Sequence, residues 1–208
     1  LPMHPQCENS VLKLGFFGGS FDPIHKGHLE VALATIEKFS FQKVLICPAF
    51  LAPLRNEKPL FSSADRLAMV KQITKYHDQL ISYDHELHQE KTCYTYETLN
   101  FVQAEFPQYE VHLMLGDDQF SKFKQWKFHQ EILEEFPMIV FQRNGSPVDN
   151  SKNQHPTSRI QNLKNPLFPH SSSEIRKRLQ QGLDISHLLP QPVFTYMKAH
   201  KLLDYLNL

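Results

Sequence analysis

The 208-residue chain has only three cysteines, Cys7, Cys47 and Cys93, and they lie far apart. An odd, scattered set of this kind argues against a disulfide framework. It contains no C-x-x-C pair, which argues against a zinc site made of thiolates. Scattered free cysteines fit a reducing compartment, so we expect a cytoplasmic protein.

The chain also lacks an excess of charge of either sign, because 22 Lys and Arg residues balance 22 Asp and Glu residues. Proteins that bind nucleic acid or membrane surfaces through their overall field carry a basic surplus. We therefore expect neither partner, and any phosphate must be bound by local groups.

Long hydrophobic runs are missing as well. The longest apolar stretches, such as 44–47 and 138–141, have the length of a strand, whereas a bilayer crossing needs about 20 residues. The start LPMHPQCENS contains no apolar run typical of a signal peptide. We expect a soluble chain.

Short apolar runs alternate with helical patterns in the first two thirds of the chain. The runs predict strands at 11–17, 43–47, 79–83, 110–115 and 137–142. Between them, apolar residues recur at helical spacing within 29–36, 67–73 and 99–106. This alternation implies right-handed crossovers and predicts an α/β fold, a Rossmann-like doubly wound parallel sheet.

We expect a single domain over 1–208, with the sheet core at 11–142 and a small C-terminal helical portion at 167–208. The polar segment 143–166 has many turn formers and little periodicity, which predicts a long, partly mobile loop. Ser62 and Ser171 are each followed three residues later by an acidic residue, and this spacing is typical of helix starts. Gly182 is expected to close the first C-terminal helix.

The segment KLGFFGGSFDPIHKGHLEVAL, residues 13–33, joins the first predicted strand to the first predicted helix. Gly18, Gly19 and Ser20 fall at the carboxyl edge of the sheet, where open parallel sheets bind ligands. Glycine permits positive φ and close backbone approach, and free N–H groups at a helix start can bind an anion. The alternative is a simple tight turn.

His25 and His28 are three residues apart and share one helix face, with Gly27 between them. They could be a metal pair, donors to a phosphate, or histidines with no task. A metal pair normally needs a third ligand and supporting partners, and Asp22 is the only carboxylate nearby. Phosphate donors fit the neighbouring anion site best.

A second helix start, HSSSEIRKRL at 170–179, offers serine hydroxyls, free N–H groups and the guanidinium of Arg176. By itself it could be a capping box with a solvated basic face. Beside the glycine and histidine loop, an anion site is the better interpretation.

A third set follows the fourth predicted strand. Asp117 and Asp118 can accept hydrogen bonds from ribose hydroxyls or bind a cation through water. Trp126, the only tryptophan, can stack on a heterocycle or pack in the core.

Taken in order, these segments resemble the HxGH nucleotidyltransferases, and within them the branch that adenylates nicotinate mononucleotide. GGSFDPIHKGH resembles the superfamily signature. The branch is indicated by SADRLAMV, HELHQEKTCYTYETL, GDDQFSKFKQW, SSSEIR and LLPQPVFTYMKAHKLL. Leu54, Cys93, Lys127 and His170 depart from the usual pattern, as does Ser173, where threonine is usual.

The resemblance implies transfer of the adenylyl group of ATP to nicotinate mononucleotide, with Mg²⁺ bridging phosphates. It implies catalytic roles for His25, His28 and Arg176. The ATP phosphates would be bound by Gly18, Gly19, Ser20, Phe21, Ser172 and Ser173. The mononucleotide would be bound by Arg55, Tyr94, Thr95, Asp118 and Trp126.

Three other functions remain open from the sequence. The same loop could serve adenylation of phosphopantetheine or cytidylyl transfer to an alcohol phosphate. The chain could instead be a nucleotide sensor without turnover, or a metal-dependent hydrolase built on the two histidines.

Overall fold

The computed structural model describes residues 11–53, 58–143, 159–168 and 170–204. Its strands are β1 Leu12–Gly19, β2 Lys43–Pro48, β3 Leu80–Ser82, β4 Tyr109–Gly116, β5 Met138–Phe141 and β6 Ile160–Leu163. Its helices are α1 Lys26–Phe39, α2 Ser63–Thr74, α3 His85–His88, α4 Thr95–Glu105, α5 Asp117–Phe120, α6 His129–Glu135, α7 Ser172–Gln180 and α8 Gln191–Ala199. Short 3₁₀ helices occupy Phe123–Gln125 and Ser186–Leu188.

Within the described residues the strands form one sheet in the order β3-β2-β1-β4-β5-β6, and every neighbouring pair is parallel. This is the order of a doubly wound, Rossmann-like sheet, so the predicted fold class is confirmed. The chain reverses its winding direction between β1 and β4. The carboxyl ends of these two strands therefore flank the crevice where such sheets bind ligands.

The predicted loop over 143–166 is wrong at its far end, because Ile160–Leu163 forms the edge strand β6 beside β5. Only Ile160 and Leu163 of this strand are buried, and the two residues between them are exposed. The strand is held by backbone pairing with β5 rather than by a long apolar run, so its composition resembles that of a loop. Residues 144–158 of the predicted loop lie outside the described residues.

Two apolar layers cover the two faces of the sheet. One layer is formed by α1, α2, α7 and α8, through side chains such as Val31, Met69, Ile175 and Val193. The other is formed mainly by α4 and α6, through Leu99, Val102 and Ile132. Successive residues of β2 alternate between the layers, which explains why a strand buried on both faces is apolar throughout.

The helix signals in the sequence are confirmed. The Ser62 and Ser171 hydroxyls accept hydrogen bonds from the N–H groups of Asp65 and Glu174 at the starts of α2 and α7. Gly182 lies just after the end of α7 with a φ of 69°, in the left-handed region. Among the described helices, none combines the length and apolar character needed to cross a membrane.

Candidate active site

Gly18 and Gly19 are the last two residues of β1, directly before the loop to α1. The left-handed backbone conformation lies at Phe21, with a φ of 46°, and not at either glycine. The glycines allow close packing instead, since a Cβ on Gly19 would lie 3.2 Å from the Phe21 ring and the ring would have to shift by a few tenths of an ångström. The buried Phe21 ring packs edge-on against Phe17 and His28, and this contact helps to fix the position of the His28 ring.

His25 is the N-cap of α1, and His28 lies one turn further on. Their ring centroids are 3.7 Å apart. The backbone N–H of His25 donates to Nδ1 of His28 at 3.2 Å. Because Nδ1 accepts this bond, the proton of a neutral His28 ring must be on Nε2, which leaves Nε2–H as a donor for a ligand.

Burial keeps both histidines neutral. It lowers the pKa of His25 to about 3, with smaller contributions from the charges of Arg143 and His170. It also lowers the pKa of His28 well below its ordinary value, helped by His25 and Arg143. Neither ring nitrogen of His25 has a hydrogen-bond partner among the described residues, although the residue is only 3% exposed. Such an atom is available to a ligand.

Phe168, which follows β6, covers this pair of histidines. Its ring stacks on that of His25, with centroids 5.0 Å apart and an angle of 12°. A Cβ on Gly27 would lie 2.7 Å from the Phe168 Cβ, so glycine is required for this packing. Sequence reasoning missed Phe168 because its position depends on β6, which has no apolar run to reveal it.

The start of α7 packs directly against the glycine and histidine loop, as the two anion motifs predict. Ser172 donates its hydroxyl to the carbonyl of Pro23 at 3.0 Å. Arg176 Nη1 donates to the carbonyl of Asp22 at 2.7 Å and lies 3.3 Å from its Oδ2. Arg176 Nη2 donates to the hydroxyl of Ser173 at 3.2 Å.

Asp22 is a connecting residue that sequence reasoning considered only as a possible metal ligand. It is 1% exposed, and its carboxylate accepts the N–H groups of Leu60 and Phe61 at 3.0 and 2.9 Å. With the Arg176 ion pair, Asp22 links the loop after β1 to α7 and to the segment before α2. Among the described residues, no three His, Cys, Asp or Glu side chains are grouped as a metal site.

Arg66 of α2 holds two loops together. Its guanidinium donates to the carbonyl of Ser20 at 2.7 Å and to that of Ala49 at 2.6 Å. The residue is 1% exposed, so these bonds satisfy a buried charge. The loop after β2 continues into residues 54–57, which lie outside the described residues together with the predicted ligand Arg55.

Two of the predicted mononucleotide residues, Asp118 and Trp126, lie at the carboxyl end of β4 and beyond it. Asp118 Oδ2 pairs with Arg143 Nη1 at 3.2 Å. Trp126 packs on Phe123, with ring centroids 5.3 Å apart. Asp118 Oδ1 and Trp126 Nε1 are buried and have no hydrogen-bond partner among the described residues, which is the condition expected of ligand-binding atoms.

Tyr94 and Thr95 lie at the start of α4, and Tyr94 contacts the segment that follows Trp126. The Lys127 ammonium lies 4.2 Å from the centroid of the Tyr94 ring, a cation–π contact made by one of the residues that depart from the usual pattern. The structure thus forms two groups from the predicted residues. One surrounds the histidines, and the other lies around Asp118 and Trp126.

A parallel sheet with a histidine loop at its switch point, closed by an arginine from a distant helix, defines a nucleotide-binding α/β protein. Residues 16–178 match the family described as Cytidylyltransferase-like, and the chain belongs to this family.

Similar proteins give the group within the family. A relative from Rhodopirellula baltica is 32% identical over 206 residues, 95% of each chain. One from Dictyoglomus thermophilum is 35% identical over 193 residues, covering 89% of this chain and 96% of the relative. Both are named probable nicotinate-nucleotide adenylyltransferase, so the chain belongs with the nicotinate-nucleotide adenylyltransferases.

A solved structure supports the fold. The Plasmodium falciparum nicotinic acid mononucleotide adenylyltransferase complexed with NaAD superposes with a TM-score of 0.75 at 24% identity. The alignment covers 93% of this chain and 98% of the other.

Proposed function

We propose that this protein transfers the adenylyl group of ATP to nicotinate mononucleotide, forming nicotinate adenine dinucleotide and pyrophosphate. The observation that carries the proposal is the contact of Arg176 with Asp22, which brings the SSSEIR motif onto the glycine and histidine loop. The names of the full-length relatives support the choice of substrates. The two free, buried cysteines, Cys47 and Cys93, fit a reaction in the cytoplasm.

The ATP phosphates bind, in this proposal, on the first group of residues. The Nε2–H of His28 and a ring N–H of His25 donate to phosphate oxygens, near the backbone of Gly18 to Phe21. Arg176, Ser172 and Ser173 lie on the other side of the bound phosphates in this proposal. The Ser172 hydroxyl already donates to Pro23, so its contribution to a ligand would come through its N–H at the helix start.

The mononucleotide binds on the second group. Asp118 Oδ1 would accept from a ribose hydroxyl, and the Trp126 ring would offer a surface for the pyridine; the buried Oδ1 without a hydrogen-bond partner among the described residues supports the first role. Tyr94, Thr95 and Arg55 complete this subsite in the proposal.

The transfer needs no covalent enzyme nucleophile. A phosphate oxygen of the mononucleotide attacks the α-phosphorus of ATP in line, the bond to the β-phosphate oxygen breaks, and pyrophosphate leaves. An anionic nucleophile needs little help from a base, so the protein contributes by positioning and by stabilising charge. Neutral donors such as the histidines strengthen their hydrogen bonds as charge develops.

Magnesium bound to the ATP phosphates would supply charge neutralisation there. The described carboxylates fit a supporting role only, since they form no three-ligand cluster and Asp118 alone has a free buried oxygen beside the site.

The test is a comparison of substrates with the purified protein. Pyrophosphate release and dinucleotide formation are measured with ATP and either nicotinate mononucleotide, nicotinamide mononucleotide or phosphopantetheine. We expect the highest kcat/KM with nicotinate mononucleotide. Faster turnover of phosphopantetheine, or ATP binding without pyrophosphate release, would contradict the proposal in favour of a related transferase or a sensor. Activity restored to chelated protein only by zinc would point to the hydrolase.

A further inference from the structure

The backbone around Arg143 is fixed from both sides at the carboxyl end of β5. Asn165, which follows β6, accepts from the N–H of Gln142 at 2.9 Å and donates to its carbonyl at 3.0 Å. The N–H of Arg143 donates to Asp117 Oδ1 at 3.1 Å. The direction in which the arginine side chain leaves the sheet is therefore determined by the fold.

The side chain crosses the end of β4 toward the switch point. A Cβ on Gly116, the last residue of β4, would lie 2.6 Å from the Arg143 Cδ, so the side chain lies directly over that glycine. Because β4 separates β5 from β1, this path leads toward the histidines that follow β1. The positive charge of Arg143 contributes to the lowered pKa of both His25 and His28, which agrees with this placement.

The guanidinium is held by an ion pair with limited strength. Arg143 Nη1 lies 3.2 Å from Asp118 Oδ2, and the two side chains are 34% and 31% exposed. An ion pair this accessible to water contributes little to stability, so an anionic ligand can replace the carboxylate as the partner of the guanidinium. Asp118 Oδ1 has no partner among the described residues and could turn to a hydroxyl group.

We propose that Arg143 is a phosphate-binding residue at the boundary of the two subsites, and that Asp118 holds it there until the substrates bind. This inference rests on the proposed adenylyl transfer and adds a cation to it. The arginine would contact the phosphates that become the bridge of the product, because it lies between the ATP group around His28 and the mononucleotide group around Asp118. Release of Asp118 to a ribose hydroxyl frees the guanidinium, so the two substrates promote each other's binding.

The first test measures binding of inorganic pyrophosphate by calorimetry, without turnover. We expect R143A to weaken binding about 10- to 100-fold, the usual worth of a charge-assisted hydrogen bond. D118N should tighten binding in the wild-type background and leave it nearly unchanged in the R143A background, because only a freed Arg143 provides the gain. An equal gain in both backgrounds would mean simple loss of a negative charge, and would overturn the inference.

The matched control is R159A, which removes the same charged group from an exposed arginine whose Nη1 donates to the carbonyl of Glu134. R159A should bind pyrophosphate like the wild type, and an equal loss in R159A and R143A would reduce the effect to net charge. Thermal unfolding of each variant checks that it is folded.

The second test uses kinetics. R143A should raise KM for nicotinate mononucleotide and lower kcat, while R143K should recover part of kcat because it restores the charge without the planar guanidinium. Wild-type KM values for both substrates in R143A would overturn the inference. If the wild-type protein forms no dinucleotide, the proposed function fails, and the pyrophosphate measurements still decide whether Arg143 binds phosphate.

Discussion

Asp22 and Arg176 are 154 positions apart in the chain, yet Arg176 Nη1 contacts both the carbonyl and the carboxylate of Asp22, at 2.7 and 3.3 Å. The carboxylate is almost fully buried, and it also accepts two backbone N–H groups from the segment before α2. One side chain therefore sets the distance between the two anion motifs.

D22N should affect both stability and turnover. The amide leaves backbone donors and a guanidinium without their anionic partner, so we expect a loss of about 1–3 kcal/mol in the free energy of unfolding. Turnover should fall because Arg176 loses its position. E174Q is the control, since it removes the same charge from a half-exposed pair with Arg178 on the same helix as Arg176. That change should cost less than about 1 kcal/mol. If D22N and E174Q lower the free energy of unfolding by the same amount in denaturant, and slow pyrophosphate release equally, this account is contradicted.

His28 can be tested with two substitutions that separate its two nitrogens. Asn at position 28 can accept the His25 N–H bond in place of Nδ1, whereas Gln carries an amide donor near the position of Nε2. We expect H28A and H28N to fold and to lose about 100-fold or more in kcat. H28Q should retain more activity than either. Turnover of H28N at the wild-type level would remove the donor role from Nε2.

The low pKa of His25 predicts how stability depends on pH. The unfolded chain binds a proton on this histidine below about pH 6.5, while the folded protein stays neutral there until about pH 3. The free energy of unfolding should therefore fall with decreasing pH through this window, by about 1.4 kcal/mol per unit from His25. H25F keeps an aromatic ring against Phe168 and should remove this part of the slope. Unfolding curves for wild type and H25F that stay parallel from pH 7 to pH 4 would count against a neutral, buried His25.

Glu86 has the opposite dependence. It is 7% exposed and accepts the hydroxyl of Thr98 at 2.9 Å, and burial raises its pKa to about 7. The folded protein keeps a proton that the unfolded chain releases near pH 4.5, so stability from this residue is full below pH 4.5 and is lost as the pH rises through 7. E86Q keeps the hydrogen bond and should gain stability over wild type at pH 8, by up to about 3 kcal/mol, but not at pH 4. A constant difference between the two proteins at both pH values would show that the pKa of Glu86 is not raised in the folded protein.

Gly27 and Phe168 form a pair suited to a double-mutant cycle. G27A should force the Phe168 ring off His25 and reduce both stability and turnover, because the new methyl group lies too close to a side-chain Cβ. In an F168G background, which removes the Phe168 Cβ together with the ring, the same substitution should cost clearly less, since the clashing atoms are gone. Additive costs would place the strain of G27A elsewhere in α1.

The sequence is sufficient for the parts of the fold and site that local pattern determines. Apolar runs mark the strands β1 to β5, and the GGSFDPIHKGH and SSSEIR segments indicate the two halves of the proposed ATP subsite. The remaining site residues depend on contacts between distant segments. Arg143 lies over Gly116 because Asn165 fixes the end of β5, and Phe168 reaches His25 because β6 pairs at the sheet edge. Asp22 and Arg66 act through backbone groups, which leave no pattern in a single sequence.

The buried guanidinium of Arg66 has a consequence for redesign of this enzyme. Because the carbonyls of Ser20 and Ala49 share one cation, the loop after β1 and the loop after β2 cannot be altered independently. A library that varies residues 49–53 would therefore also shift the loop after β1, which carries backbone groups proposed to bind the ATP phosphates. Selection from such a library should favour compensating changes in α2 next to Arg66.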